Sequence, residues 1–207
     1  MKNATKHADE LRSLHRRLVK EWKPEPRQPQ EALRALVRAA MSYDVTDAKA
    51  EEAMRHIQQE FVDLNELRVA TDLEIHELLG VRYPAIEQRV AMITQSLNNI
   101  FEREHTMNLE RLKSVSKRDA RQFLRELPEI HPFVEAYVML FAFDGHCFPV
   151  DNEILELLRE QGIVDDGTSL EDAQRFVEHH LKADECHDFF TAVRKELMAE
   201  GKGKKKK

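Results

Sequence analysis

Glycine is scarce in this sequence. Only six glycines occur in 207 residues, and two of them, Gly201 and Gly203, lie near the C-terminus. Neither a G-x-G-x-x-G nor a G-x-x-x-x-G-K-[ST] pattern is present, which excludes sites where glycine backbone cradles a nucleotide phosphate. The other four glycines fall between segments of helical periodicity, where helix C-termini favour them. This composition favours an all-α fold.

Cysteine and long apolar runs are also scarce. Two cysteines cannot build a disulfide framework, and they cannot supply the four thiolates of an iron–sulfur cluster. The longest strongly apolar stretch, residues 134–143, is interrupted by Glu135 and is about half as long as a membrane-spanning helix. The N-terminal segment MKNATKHADELRSLHRRL carries no apolar core, so we expect no secretory signal. These features predict an intracellular protein that makes no membrane contact.

Charge is distributed unevenly along the chain. Residues 1–126 contain 22 Lys and Arg against 21 Asp and Glu, whereas residues 127–201 contain 5 against 17. The last six residues, KGKKKK, add five positive charges and bring the net charge to −6. A nucleic-acid-binding protein needs a basic face. Such a face has to come from the first two-thirds of the sequence or from the Lys-rich tail, which we expect to be disordered.

Helical periodicity extends over most of the sequence, and no segment shows the alternation of a strand. The clearest example is residues 85–103, where Ile86, Val90 and Ile93 recur on one face. Residues 133–143 are apolar nearly all round, which predicts a helix at the centre of a core. We predict further helices over residues 8–22, 29–42, 47–61, 72–79, 116–126, from 152 onward, 169–182 and 184–200.

Four segments match, in order, the motifs of one protein family. Residues 127–151, LPEIHPFVEAYVMLFAFDGHCFPVD, resemble without a gap the helix-hairpin-helix signature of the endonuclease III family of DNA glycosylases, in which LPGVGxKTA precedes an apolar helix, AFG and VD. Residues 41–47, MSYDVTD, are similar to the family's LSAQATD. Residues 80–83 and 185–190 are similar to its glycine-aromatic turn and to the Cys-His opening of a late helix. The chain thus resembles a divergent member of this superfamily.

The resemblance implies an all-α fold with two lobes and a helix-hairpin-helix motif. Residues 28–143 would form a helical barrel that includes the hairpin at 117–143. Residues 144–200 would form a C-terminal helical lobe, on which the N-terminal helix and linker, residues 1–27, would pack. Residues 201–207 would form the disordered Lys-rich tail.

The resemblance also implies the chemistry of base excision. A DNA glycosylase flips a nucleotide out of the duplex, and a carboxylate stabilises the positively charged sugar or activates water as the base leaves. Asp151 stands at the carboxylate position, and it is equally a natural N-cap for the following helix. Phe133 stands where bifunctional members carry a nucleophilic lysine, so we expect no lyase step. Tyr43 and Asp44 would form the base pocket together with Phe133. The alternative interpretation of Phe133 is an ordinary core side chain.

The hairpin is the expected DNA contact. In the family its backbone N–H groups bind a phosphate, and glycines let the phosphate approach closely. Here the corresponding residues are Glu129, Ile130 and His131, so both glycines are replaced and an acidic side chain lies at the phosphate position. The preceding helix carries basic side chains that would either contact phosphates or form a solvated face: Lys117, Arg118 and Arg121. Double-stranded DNA is the expected partner, and the sequence leaves the oligomeric state open.

Two functions remain open from the sequence. The first is a monofunctional base-excision repair glycosylase, cytoplasmic or nucleoid-associated, that cuts the N-glycosidic bond without AP-lyase activity. The second is a catalytically inactive descendant that acts as a DNA-associated or protein-interaction module. The retained Asp151 favours the first, whereas the net charge of −12 over residues 127–201 and the lost hairpin glycines favour the second. We expect no cofactor and no metal, since the His, Asp and Cys residues between 179 and 187 match no zinc-binding spacing.

Overall fold

The computed structural model describes residues 4–204, with side chains over 5–199, and this range contains eleven α-helices, one 3-10 helix and no β-strand. The expected all-α fold class is confirmed. None of the described helices is long and apolar enough to cross a membrane. The α-helices are α1 (Ala4–Trp22), α2 (Ala32–Ser42), α3 (Asp47–Glu60), α4 (Leu64–Val69), α5 (Asp72–Leu79), α6 (Ile86–Glu104), α7 (Lys117–Arg125), α8 (Pro132–Ala142), α9 (Asn152–Glu160), α10 (Leu170–His180) and α11 (Ala183–Lys204), and the 3-10 helix is Glu110–Ser114.

The chain divides into two units. One unit, residues 29–144, is a continuous segment that contains α2 to α8. The other unit combines the residues up to Gln28 with those from Gly145 onward, and it contains α1, α9, α10 and α11. The sequence predicts the corresponding boundaries at 27/28 and 143/144.

Helix α8 forms the core of the 29–144 unit because its sequence is apolar on almost every side. All ten residues that follow Pro132 in this helix are buried, as the periodicity predicts. Helix α2 packs along α8 and buries nine of its eleven residues, while α6 packs on α2. The N–H of Gln30 donates to the carbonyl of Phe141 at 3.0 Å, which connects the segment entering α2 to the end of α8. The position of the hairpin helix is therefore fixed by burial of its whole length.

Side-chain caps set where several helices begin. Thr71 and Glu74 form a reciprocal capping box at the start of α5. The carboxylate of Glu31 accepts from two N–H groups of the first turn of α2, so this helix begins at Ala32 and not at 29 as the sequence predicts. Helix α4, which Asp63 caps, is missing from the sequence prediction because six residues are too few for periodicity to show.

Helix α1 packs on α10 and α11 in the other unit. Its apolar stripe buries Leu11, Leu14 and Leu18, and the indole N–H of Trp22 donates to Oε2 of Glu196 at 2.8 Å. The sequence predicts a disordered tail over 201–207. The backbone of α11 is described as far as Lys204, whereas residues 205–207 and the side chains of the tail lie outside the described residues, so the tail stays a prediction.

Candidate functional site

The hairpin consists of α7, a six-residue connection and α8. The two helices pack against each other, as a helix-hairpin-helix motif requires. The connection bends at Glu129, whose φ of 55° lies in the left-handed region that favours glycine. Glu129 is exposed at this bend. The hairpin therefore keeps its shape with a charged residue at the first glycine position, at a cost of about 1 kcal/mol in backbone strain.

The backbone N–H groups after the bend are used within the protein. The N–H of Ile130 donates to a carbonyl of its own turn at 3.4 Å, and that of His131 donates to Sδ of Met92 at 3.4 Å. Pro132 has no N–H, and the N–H of Phe133 donates to Nδ1 of His131 at 3.2 Å. The helix N-terminus to which the resemblance assigns phosphate binding is thus capped by the imidazole of its own N-cap residue.

A buried carboxylate connects α7 to α8. Glu135 is 4% exposed, and its two oxygens accept from Nε of Arg121 at 2.6 Å and from Nε of Arg125 at 3.2 Å. Nζ of Lys117 donates to the backbone carbonyl that follows α8, whereas Arg118 is exposed. Two of the three basic residues expected at the DNA interface, Lys117 and Arg121, therefore also hold the two hairpin helices together.

Tyr43 lies between two side chains that the sequence did not connect with it. Its ring stacks on the imidazole of His131, with centroids 4.2 Å apart and planes inclined by 2°. The guanidinium carbon of Arg89 lies 3.7 Å from the ring centroid, and it must cover the opposite face because His131 already covers one. Arg89 is 1% exposed and donates to the carbonyls of Ala40, Tyr43 and Pro84. These contacts fix the turn after α2 to both the hairpin and α6.

Asp44 and Phe133 lie beside this stack. The ring centroid of Phe133 is 6.3 Å from that of Tyr43, and the side chain is buried. Along α8 the same ring stacks on Tyr137 with centroids 6.1 Å apart. Asp44 follows Tyr43 with a φ of 52° and is half-buried. The structure therefore gathers the predicted pocket residues and the hairpin within the 29–144 unit, and their role in binding a base stays a prediction.

Asp151 lies in the other unit and is fully buried. Its Oδ1 accepts the N–H of Ile154 at 2.9 Å, so the side chain caps α9. Its Oδ2 pairs with Nη1 of Arg194 at 3.1 Å, and the same guanidinium lies 3.9 Å from the carboxylate of Glu153. An arginine and a helix N-terminus both stabilise the ionised form of a carboxylate. The capping role is present, and the catalytic role of Asp151 stays a prediction.

Sequence reasoning missed the partners Arg89, Glu135 and Arg194. Each is a charged residue on a buried helix face, and this is the signal that the sequence contained. Arg89 follows Ile86 by three residues and precedes Ile93 by four, and Glu135 carries the only charge in α8. A charge on a buried face requires an internal partner. The partner itself is not readable from the sequence, since the acid that Arg194 pairs with lies 43 residues earlier.

The His- and Cys-containing segment from 179 to 187 lies at the end of α10, at the start of α11 and in the turn between them. Among the described residues, no group of three or more His, Cys, Asp or Glu side chains is arranged to hold a metal ion. Cys186 is buried, which raises the pKa of its thiol to about 12, and Cys147 is buried as well. Two thiols are too few for a four-thiolate iron–sulfur cluster, as the sequence indicates.

No family model and no curated protein matches this sequence. Solved structures do match it, over nearly the whole chain. The Clostridium acetobutylicum 8-oxoguanine glycosylase/lyase in complex with double-stranded DNA has a TM-score of 0.74 at 16% identity, covering 95% of this chain and 70% of that one.

Two further structures extend this likeness. A non-covalent endonuclease III–DNA complex has a TM-score of 0.72 at 12% identity, covering 90% of this chain and 84% of that one. The H. pylori 3-methyladenine DNA glycosylase bound to 1,N6-ethenoadenine has a TM-score of 0.69 at 14% identity, covering 94% of this chain and 98% of that one. The chain therefore has the all-α fold of the helix-hairpin-helix DNA glycosylases, which confirms the resemblance seen in the sequence at the level of fold.

Proposed function

We propose that this chain is a base-excision DNA glycosylase that acts on double-stranded DNA without a lyase step. The observation that carries the proposal is that Arg194 and the N-terminus of α9 stabilise the carboxylate of Asp151 in its ionised form. Base excision needs an anion because positive charge develops on the sugar as the base leaves. The likeness to DNA-bound glycosylases supports the proposal at the level of fold.

The missing lyase step follows from the residue at the amine position. Phe133 stands where the family resemblance expects a lysine, and a phenyl ring cannot attack the sugar as an amine does. Phe133 instead lies buried beside Tyr43, so this position has an apolar ring and no amine. The expected product is an abasic site in an uncut strand.

A panel of duplexes, each carrying one damaged or mispaired base, tests the proposal. We expect at least one to yield an abasic site that breaks only after treatment with alkali. The variant Asp151→Asn keeps the size of the side chain and removes its charge, so excision should be abolished while affinity for duplex DNA changes little.

The matched control is Asp166→Asn, which makes the same chemical change at an exposed loop position. Circular dichroism and thermal unfolding of both variants separate loss of chemistry from loss of fold. Excision that survives in a folded Asp151→Asn variant removes this carboxylate from the mechanism. Strand cleavage without alkali contradicts the absence of a lyase step.

A second candidate function is a non-catalytic DNA-associated module. It is favoured by the burial of Asp151, which has no exposed surface, and by the hairpin N–H groups that are used internally. This candidate predicts no excision on any duplex of the panel. It also predicts DNA affinity that is weak at physiological salt, because residues 127–201 contain 5 Lys and Arg against 17 Asp and Glu.

A further inference from the structure

We propose that Arg121 and Arg125, oriented by the buried carboxylate of Glu135, form the phosphate-binding site of this hairpin. The inference rests on the proposed binding of double-stranded DNA and names the groups that contact its backbone. It moves the contact from main-chain N–H groups at the start of α8 to guanidinium groups on α7.

The main-chain N–H groups of the hairpin are not available to bind a phosphate, because they form hydrogen bonds within the protein. From Ile130 to Phe133 each residue either lacks an N–H or donates it to an acceptor within the protein. The exposed carboxylate of Glu129 at the bend adds a negative charge that repels a phosphate. A polyanion approaching this hairpin needs donors elsewhere.

Arg121 and Arg125 are placed so that both can donate hydrogen bonds to a phosphate. They lie one helical turn apart on α7, at positions i and i+4, so their side chains are neighbours. Both donate to Glu135 through Nε, and a guanidinium has five N–H donors in a planar fork that fits a phosphate. The side chain of Arg125 is 54% exposed and that of Arg121 is 24% exposed.

Glu135 acts as a positioning residue. Its carboxylate is 4% exposed, so it holds the arginines from the inside without facing the solvent. The three side chains together carry a formal charge of +1, which leaves an attractive charge for a phosphate. The neighbouring acid Glu126 is already paired, with Arg103 at 3.2 Å. Pre-oriented guanidinium groups lose less side-chain freedom when they bind.

Titration of the 207-residue chain with an undamaged duplex at several salt concentrations tests the site. Fluorescence anisotropy gives the affinity at each salt concentration. We expect Arg125→Gln to weaken binding about 10-fold, which is the effect of one lost charge-assisted contact. The slope of log affinity against log salt should fall by about 0.9, because one phosphate contact is removed. The matched control is Arg55→Gln, the same change at an exposed position of α3.

A second variant keeps the test valid if loss of an arginine disturbs the fold. Arg125→Lys retains the charge and loses the fork, so we expect it to restore the salt slope and only part of the affinity. A folded Arg125→Gln variant that behaves like Arg55→Gln in both affinity and slope overturns the inference. A wild-type chain that binds no duplex overturns it together with the proposed function, whereas binding without excision contradicts only the glycosylase proposal.

Discussion

Asp151 and Arg194 form an ion pair from which water is excluded, because the two side chains are 0% and 9% exposed. Removing one member of such a pair leaves the other as an uncompensated buried charge. We therefore expect Arg194→Met to lower the free energy of unfolding by about 3–5 kcal/mol, measured by urea denaturation at neutral pH. The double variant Asp151→Leu/Arg194→Met should recover part of this loss, since both charges are then gone but the N-cap of α9 is lost at a cost of about 1 kcal/mol. Equal stability of the single and double variants would contradict this account.

All three tyrosines of the chain lie where burial raises the pKa of the phenol, in the case of Tyr83 to about 12. An unfolded tyrosine loses its proton near pH 10. Between about pH 10 and pH 12 the unfolded chain therefore binds fewer protons than the folded chain, and rising pH favours unfolding. We expect the stability to fall over this window, by an amount on the order of 2 kcal/mol from Tyr83.

Denaturant unfolding at a series of alkaline pH values measures this loss. Tyr83→Phe is the control, because it removes the titrating group. In the wild type the hydroxyl of Tyr83 donates to the carbonyl of Met41 at 2.7 Å, so the variant should be less stable at neutral pH. The free energy of unfolding of the variant should then fall less steeply between about pH 10 and pH 12 than that of the wild type. If the stability of the variant falls as steeply with pH as that of the wild type, groups other than Tyr83 cause the alkaline loss of stability.

The start of α8 depends on a single side chain, the imidazole of His131. It accepts the N–H of Phe133 and stacks on Tyr43, so it stabilises both the helix N-terminus and the turn after α2. We expect His131→Ala to cost about 1 kcal/mol through the lost cap, with a further loss from the stack. Thermal unfolding measures the effect against His56→Ala in α3, which removes no cap and should leave the stability unchanged or slightly raised.

The helices were largely predictable because periodicity and capping are local properties of a sequence. Residues 133–143 are apolar nearly all round, and the structure buries every position of α8 after Pro132. Thr71 and Asp151 act as N-caps, as their positions indicate. The prediction failed where a helix is short, as in α4, and where a side chain displaces a helix start, as Glu31 does for α2.

The candidate site was predictable only in part, because its interactions join residues that are distant in the sequence. The pairing of Tyr43 with His131 spans 88 positions, and that of Asp151 with Arg194 spans 43. No local pattern encodes such a pair, although a lone charge on an apolar face shows that a partner exists. Glu135 is an example. The sequence shows an acid within an apolar helix, and only the structure shows that Arg121 and Arg125 form ion pairs with it.

The net charge of these 207 residues affects every DNA contact. With a net charge of −6, the protein as a whole repels a polyanion, and the strongest local concentration of positive charge is the run KGKKKK at residues 202–207. Each lysine that contacts a phosphate releases counterions and makes binding dependent on salt. Replacing the five lysines by glutamine keeps the length of the chain and changes the net charge from −6 to −11.

We expect this five-fold Lys→Gln variant to bind undamaged duplex DNA more weakly at low salt. The slope of log affinity against log salt should fall by about 0.9 for each lysine that contacts a phosphate. We expect this loss and that of Arg125→Gln to add in the combined variant, as the contributions of independent contacts do. Affinities measured for the wild type, each variant and their combination provide the check. A combined variant no weaker than Arg125→Gln alone would mean that the lysines contribute nothing and that the hairpin supplies the phosphate contacts without them.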